Sequence, residues 1–194
     1  MGGDLEPRTL LRAYRHGVFP WYDASMPICW WSPDPRAIIP LDGLHVSRRL
    51  ERTLRSPRFR VTINRDFEAV IAGCAADRSD GTWLMPEMIV AYRRLHELGK
   101  AHSVEVWNGD WLVGGIYGVA IGGFFAGESM FHRQSDASKV ALVRLVERLS
   151  ECGYALFDIQ FLTPHTRRMG GIEISREEYL RWLRAALVLR PAQL

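Results

Sequence analysis

Seventeen consecutive residues, Trp111 to Gly127 (WLVGGIYGVAIGGFFAG), carry no charge, and six of them are glycine. The run is shorter than the ~20 residues a membrane-spanning helix needs and is closed at its ends by Asp110 and Glu128. Two buried strands turning at Gly122-Gly123 accommodate it, the second continuing through FFAGESMF. Asn108-Gly109 is a hairpin signal, so His102 to Trp107 becomes the strand before, and the centre of the chain is predicted to be an antiparallel meander.

Helices flank this meander in the pattern. Pro7 to His16 reads as a helix with Gly17 at its end, and Ser47 caps a short basic helix, SRRLERTLRS. Asn64 opens a helix whose apolar residues Phe67, Val70, Ile71 and Cys74 recur at helical spacing, and Pro86 starts another that stops at Gly99. Asp136 is predicted to cap the long helix ASKVALVRLVERLSEC, ended by Gly153, after which YALFDIQF reads as a strand. Ser175 and Glu178 form an S-x-x-E signal for a last helix burying Tyr179, Trp182 and Leu183. Residues 20 to 40 form a proline-punctuated, tryptophan-rich loop. The class is α+β, an antiparallel-rich mixed sheet flanked by helices, and the order is similar to the GNAT acyltransferase core.

At 194 residues the chain buries roughly 70% of its unfolded surface without staples. Its three cysteines, Cys29, Cys74 and Cys152, are widely spaced and contain no CxxC pair, which excludes a disulfide scaffold and a zinc ribbon and favours a reducing, cytoplasmic setting. The N-terminus has no basic segment followed by an apolar one, so no secretory signal is read there. The six histidines show no metal-ligand spacing, and no metal is expected.

The glycines match neither the P-loop nor GxGxxG, and no Q/R-x-x-G-x-G/A pyrophosphate loop is present, which argues against nucleotide triphosphates and coenzyme A. No GxSxG elbow appears. What stands out is Asp158 and Gln160, two residues apart on an apolar strand, with Glu128 entering the same sheet region. Such a pair either faces solvent or is buried with partners and a task.

Residues 48 to 60 hold six arginines against Glu51, a net +5, with Arg48, Arg52 and Arg55 on one helical face. The stretch is either a solvated helix face or a phosphate track. Trp21, Trp30, Trp31 and Trp83 are either core residues or stacking platforms for an unpaired base.

In order, the strings GGDL, YRHGVFPWY, WWSPDPR, HVSRRL, GTWL, AYRRLHELGKAHSVEVW, LVGGIYGVAIGG, GESMF, ASK, DIQ and H-x-x-x-x-G with EI run over nearly the whole chain. The set resembles the bacterial leucyl/phenylalanyl-tRNA-protein transferases. The resemblance implies a GNAT-like core over residues 46–194 with a reduced N-terminal region over 1–45. It also implies transfer of Leu, also Phe or Met, from Leu-tRNA or Phe-tRNA to the N-terminal Arg or Lys of a protein, marking it for N-end rule degradation. No cofactor, metal or membrane is implied, and a monomer is expected.

By the resemblance, Asp158, Gln160 and Glu128 form the active centre, and Trp21 and Trp83 flank the terminal adenosine. Ile116, Phe125 and Leu145 form the aminoacyl pocket, and Arg48, Arg52 and Arg55 contact the acceptor stem. Asp158 is expected to orient and deprotonate the amine, through Gln160, while Glu128 holds the substrate's amino or ribose groups. His132, Arg168, Ile159 and Ile116 depart from the residues usual at their positions. A coenzyme-A-dependent N-acyltransferase and a non-catalytic tRNA-binding module are the two other readings of this fold.

Overall fold

The charge-free run becomes the two central strands of the sheet. In the computed structural model, which describes residues 2–76 and 84–194, strands β5 (Ala101–Asn108), β6 (Trp111–Ile121) and β7 (Phe124–His132) form the meander. The long helix α5 (Ala137–Cys152) then returns the chain to β8 (Leu156–Gln160), which pairs parallel to β7. The seven-stranded sheet runs β4-β5-β6-β7-β8-β3-β9, with β4 at Arg60–Ile63, β3 at Arg36–Ile38 and β9 at Ile172–Ile174. A two-stranded sheet pairs β1 (Phe19–Pro20) with β2 (Trp30–Trp31). The α+β class and the mixed, antiparallel-rich sheet read from the sequence are therefore present.

Alternation along β6 divides the core in two. Tyr117, Val119 and Ile121 face α1 (Pro7–Arg15), α3 (Phe67–Ala75), α4 (Pro86–Glu97) and α7 (Arg176–Leu187), whereas Ile116 and Ala120 face α5 and α2 (Arg48–Arg55). Gly114 of β6 serves that second face: a Cβ there would lie 2.6 Å from the Cβ of Ala137, so α5 starts close against the strand because the side chain is missing. Gly122 turns β6 into β7 at a φ of +57°, the left-handed conformation that favours glycine.

Several sequence expectations are corrected. The N-cap of α3 is Asp66, which accepts from the Ala69 amide, while Asn64 sits at a φ of +56° and accepts from the Ser103 amide through its side chain. Asp136 precedes α5 without a side-chain cap; its left-handed backbone turns the carboxylate to Lys139 and Arg49 instead. Trp182 is exposed, while Tyr179 and Leu183 are buried as expected. The 20–40 segment is not all loop. It contributes β2, the end of β1 and β3, and β3 lies inside the large sheet between β8 and β9. A short helix, α6 (Pro164–Arg168), capped by Thr163, was also unforeseen.

Candidate active site

The parallel pairing of β7 and β8 ends at Ala126 and Asp158, although β7 continues to His132. Both strands are irregular at that point. On β7 the register with β6 passes from Gly127 opposite Gly118 to Ser129 opposite Tyr117, leaving Glu128 as the extra residue of a bulge. On β8 the register with β3 skips Ile159, and Gln160 ends the strand at a φ of +57°. A cavity of about 380 Å³ occupies this divergence. Its floor holds Glu128 and Gln160, and its apolar wall includes Ile116, Met130, Leu142, Phe157 and Ile159. Trp21 and Phe161 stand at its aromatic side.

The bulge at Ile159 separates the two residues expected side by side. Asp158 is fully buried and turns away from the cavity to Arg36, which is also buried. Arg36 Nε donates to Asp158 Oδ1 at 2.9 Å and Nη2 to Oδ2 at 2.6 Å, a bidentate pair. The Tyr179 hydroxyl donates to Oδ2 at 2.8 Å and the Gln160 amide to Oδ1 at 2.9 Å, so four donors converge on one carboxylate. Arg36 is itself clamped between the rings of Phe19 and Tyr179, 4.7 and 4.5 Å from its guanidinium, and donates to the Gly17 carbonyl. This frame ties β3, β8, α7 and the end of α1 together. Its last hydrogen bond holds Gln160 in the left-handed backbone that aims its side chain into the cavity.

Gln160 Nε2 donates to Glu128 Oε1 at 3.2 Å, which leaves the amide oxygen of Gln160 free of that contact. The Tyr92 hydroxyl donates to Glu128 Oε2 at 2.8 Å, and the Tyr14 and Tyr92 oxygens lie 2.8 Å apart. Each hydroxyl carries one hydrogen, and either oxygen can serve as the donor in that pair. Burial pushes the Glu128 carboxyl up to about 7; the tyrosine donors and Arg36 pull it down, and the charge of Asp158 adds to the rise. A carboxyl poised near neutrality beside an oriented amide is able to exchange a proton with an amine.

The three residues expected to form an aminoacyl pocket are not brought together on the cavity surface. Ile116 lines the cavity, whereas Phe125 and Leu145 lie behind the wall in the core between the sheet and α5. Trp21 is 40% exposed, with ring centres 5.6 Å from Trp31 and 5.4 Å from Phe161. The Trp31 indole N–H donates to the Trp21 carbonyl, which fixes the pair. Trp83 lies outside the described residues. Arg48, Arg52 and Arg55 are exposed on α2, and none makes an ion pair among the described residues. Sequence reasoning gave no role to Arg36, Tyr14, Tyr92 or Phe161. For Arg36 the signal was available, a lone cation opening the apolar run Ala37-Ile38-Ile39.

Among the described residues no group of three or more His, Cys, Asp or Glu could hold a metal ion, and no helix is long and apolar enough to cross a membrane.

Residues 38–184 match the family model described as leucyl/phenylalanyl-tRNA protein transferase, and residues 3–34 match that of its N-terminal domain. The leucyl/phenylalanyl-tRNA--protein transferase of Alkalilimnicola ehrlichii is 56% identical over 192 residues, covering 97% of this chain and 74% of that protein. The protein of that name from Pseudomonas paraeruginosa is 54% identical over 184 residues, covering 94% and 81%. Among solved structures, a GCN5-related N-acetyltransferase from Kribbella flavida is 14% identical, covering 84% of this chain and 58% of that one at a TM-score of 0.47. That likeness is weak, and the α+β class rests on the strand order itself. The length and identity of the sequence matches settle the relationship: the chain belongs to the leucyl/phenylalanyl-tRNA protein transferase family.

Proposed function

We propose that the chain transfers leucine, and also phenylalanine or methionine, from aminoacyl-tRNA to the N-terminal Arg or Lys of an acceptor protein, acting as a monomer in the cytoplasm and marking its acceptor for degradation. The name its relatives share supports the aminoacyl-tRNA and the protein as substrates. The observation that carries the chemistry is the pair of polar side chains, Glu128 and Gln160, hydrogen-bonded to each other in a cavity whose wall is largely apolar, with Trp21 beside it. An apolar wall suits a leucyl or phenylalanyl side chain, and an exposed indole suits the terminal base.

In the reaction the acceptor's α-amine nitrogen bonds to the ester carbonyl carbon, the carbon–oxygen bond to the ribose breaks, the nitrogen loses one proton and the ribose oxygen gains one. The Gln160 amide oxygen accepts a hydrogen bond from the amine and orients it. Glu128, as carboxylate, takes the amine's proton and, as carboxylic acid, returns it to the leaving oxygen; a pKa of about 7 suits both halves. Asp158 acts as a positioning residue, since its oxygens already accept from Arg36, Tyr179 and the Gln160 amide. Ile116 borders the aminoacyl side chain, Phe125 and Leu145 back that wall from the core, and Arg48, Arg52 and Arg55 contact the acceptor-stem phosphates.

The test follows labelled leucine from Leu-tRNA onto an Arg-initiated peptide. Incorporation is expected, and it is expected to vanish when the peptide N-terminus is acetylated or the tRNA is digested. Incorporation that survives either control, or none with intact tRNA, overturns the reading.

A further inference from the structure

The cavity takes the aminoacylated end of the RNA, and α2 carries the arginines assigned to the acceptor stem, so the unpaired 3′ strand must cross from one to the other. The elements between them are known. Helix α2 packs against α5, and α5 sends Leu142 into the cavity wall. One turn earlier on α5, about 4.5 Å along the axis, stands Lys139. On the neighbouring rim, Thr166 of α6 lines the cavity and is followed two residues later by Arg168. On β7, Met130 lines the cavity and His132 follows two residues on.

These side chains are linked into one charged strip. Lys139 Nζ lies 2.8 Å from Asp136 Oδ1, and Arg49 of α2 lies 3.4 Å from Asp136 Oδ2. The hydrogen bond from Lys139, with the charges of Arg49 and Arg58 behind it, outweighs burial and holds the Asp136 carboxyl below its ordinary range. The enclosed acid is thus outnumbered by cations. At the other end of the strip His165 of α6 feels Lys139, Arg168 and His132; burial first, then these charges, push its pKa down, which favours the uncharged ring. Arg168 is exposed and makes no ion pair among the described residues, and Lys139 is 39% exposed. A row of solvent-facing cations beside a nucleic-acid site is an electrostatic footprint for phosphate.

We propose that Lys139 and Arg168, with His132 beside them, form a phosphate-binding bridge that holds the unpaired 3′ strand of the RNA between α2 and the cavity. The inference rests on the aminoacyl-tRNA reading. It adds a site of contact that carries no base preference, because phosphodiesters position a strand without reading it. Its effect is to fix how deeply the terminal adenosine enters beside Trp21, and so where the ester carbonyl stands relative to Gln160.

The experiment compares two donors, full Leu-tRNA and leucyl-adenosine, which has no phosphate, in the parent protein, in Arg168→Gln and in the double variant Lys139→Gln/Arg168→Gln. Transfer to an Arg-initiated peptide gives KM for each donor, and tRNA binding is followed from 50 to 200 mM salt. Each lost single-strand phosphate contact is expected to lower the salt slope by about 0.7, so the double variant loses about 1.4 and the parent weakens about sevenfold more than it over that range. KM for Leu-tRNA is expected to rise while that for leucyl-adenosine stays within about twofold of the parent. Arg168→Gln, an exposed change, is expected to show half the slope effect with an unaltered melting temperature. An unchanged slope and KM for Leu-tRNA overturns the bridge, as does an equal rise in KM for both donors, which marks a structural role. If the parent itself transfers from neither donor, it is the aminoacyl-tRNA reading that fails.

Discussion

The two sides of the β7–β8 divergence are built on opposite principles. Behind Gln160, Asp158 and Arg36 are sealed from water and every carboxylate oxygen is doubly engaged. In front of it, Trp21, Trp31 and Phe161 are each about 40% exposed. The hidden side spends its polar groups on one another and fixes a backbone, whereas the open side keeps surface available for a ligand. Damage behind is therefore expected to be read in folding, and damage in front in transfer and binding.

The sharpest break of this contrast comes from Arg36→Ala. It strands the Asp158 carboxylate in the core, and a loss of about 3–5 kcal/mol of stability is expected in denaturant unfolding. A variant with native stability and lost transfer would place Arg36 in the chemistry instead. Next in size, Glu128→Gln is expected to slow transfer about 100-fold or more under single-turnover conditions while leaving tRNA binding intact. Its stability provides a second readout. The folded pKa of Glu128, about 7, lies above the ordinary 4.5, so ionising it costs the native state as pH rises from about 4.5 through 7. Relative to Glu128→Gln, the parent protein is expected to lose stability across that window, and a parallel pair of curves would deny the burial argument.

Smaller effects belong to the open side. Trp21→Ala removes the exposed indole, and loss of about 1–3 kcal/mol of base stacking is expected to appear as raised KM for Leu-tRNA with an unchanged melt. Smallest, Arg52→Gln on α2 is expected to lower the salt slope of tRNA binding by about 1, equally for all tRNA sequences. A flat salt response in the parent would remove α2 from the interface.

The same contrast explains what was legible in the sequence. The helical periods of α3 and α4, the Asn108-Gly109 hairpin and the charge-free run of β6 are local patterns, and the structure follows them. Strands β3 and β9 have three residues each, too few for alternation to show, and they form because neighbours already in the sheet offer them edges. Glu128, Asp158 and Gln160 were identifiable as polar residues on apolar strands. Their division of labour was not, because it depends on two bulges, and a bulge is set by pairing with another strand. Arg36 and Asp158 stand 122 residues apart, a separation at which local pattern carries no information. Phe125 and Leu145 are apolar like the true wall residues Met130 and Leu142, and only packing tells which stand in front.

The central claim is that the reacting pair is Glu128 with Gln160, held from behind by Asp158. Its most direct test is the pH dependence of single-turnover leucine transfer to an Arg-initiated peptide, parent against Glu128→Gln. The parent rate is expected to climb through a limb near pH 7, as Glu128 ionises, and through a second near 8 as the acceptor amine loses its proton. Glu128→Gln is expected to keep only the limb near 8, at a much lower rate. A variant with the parent's rate and both limbs would contradict the account.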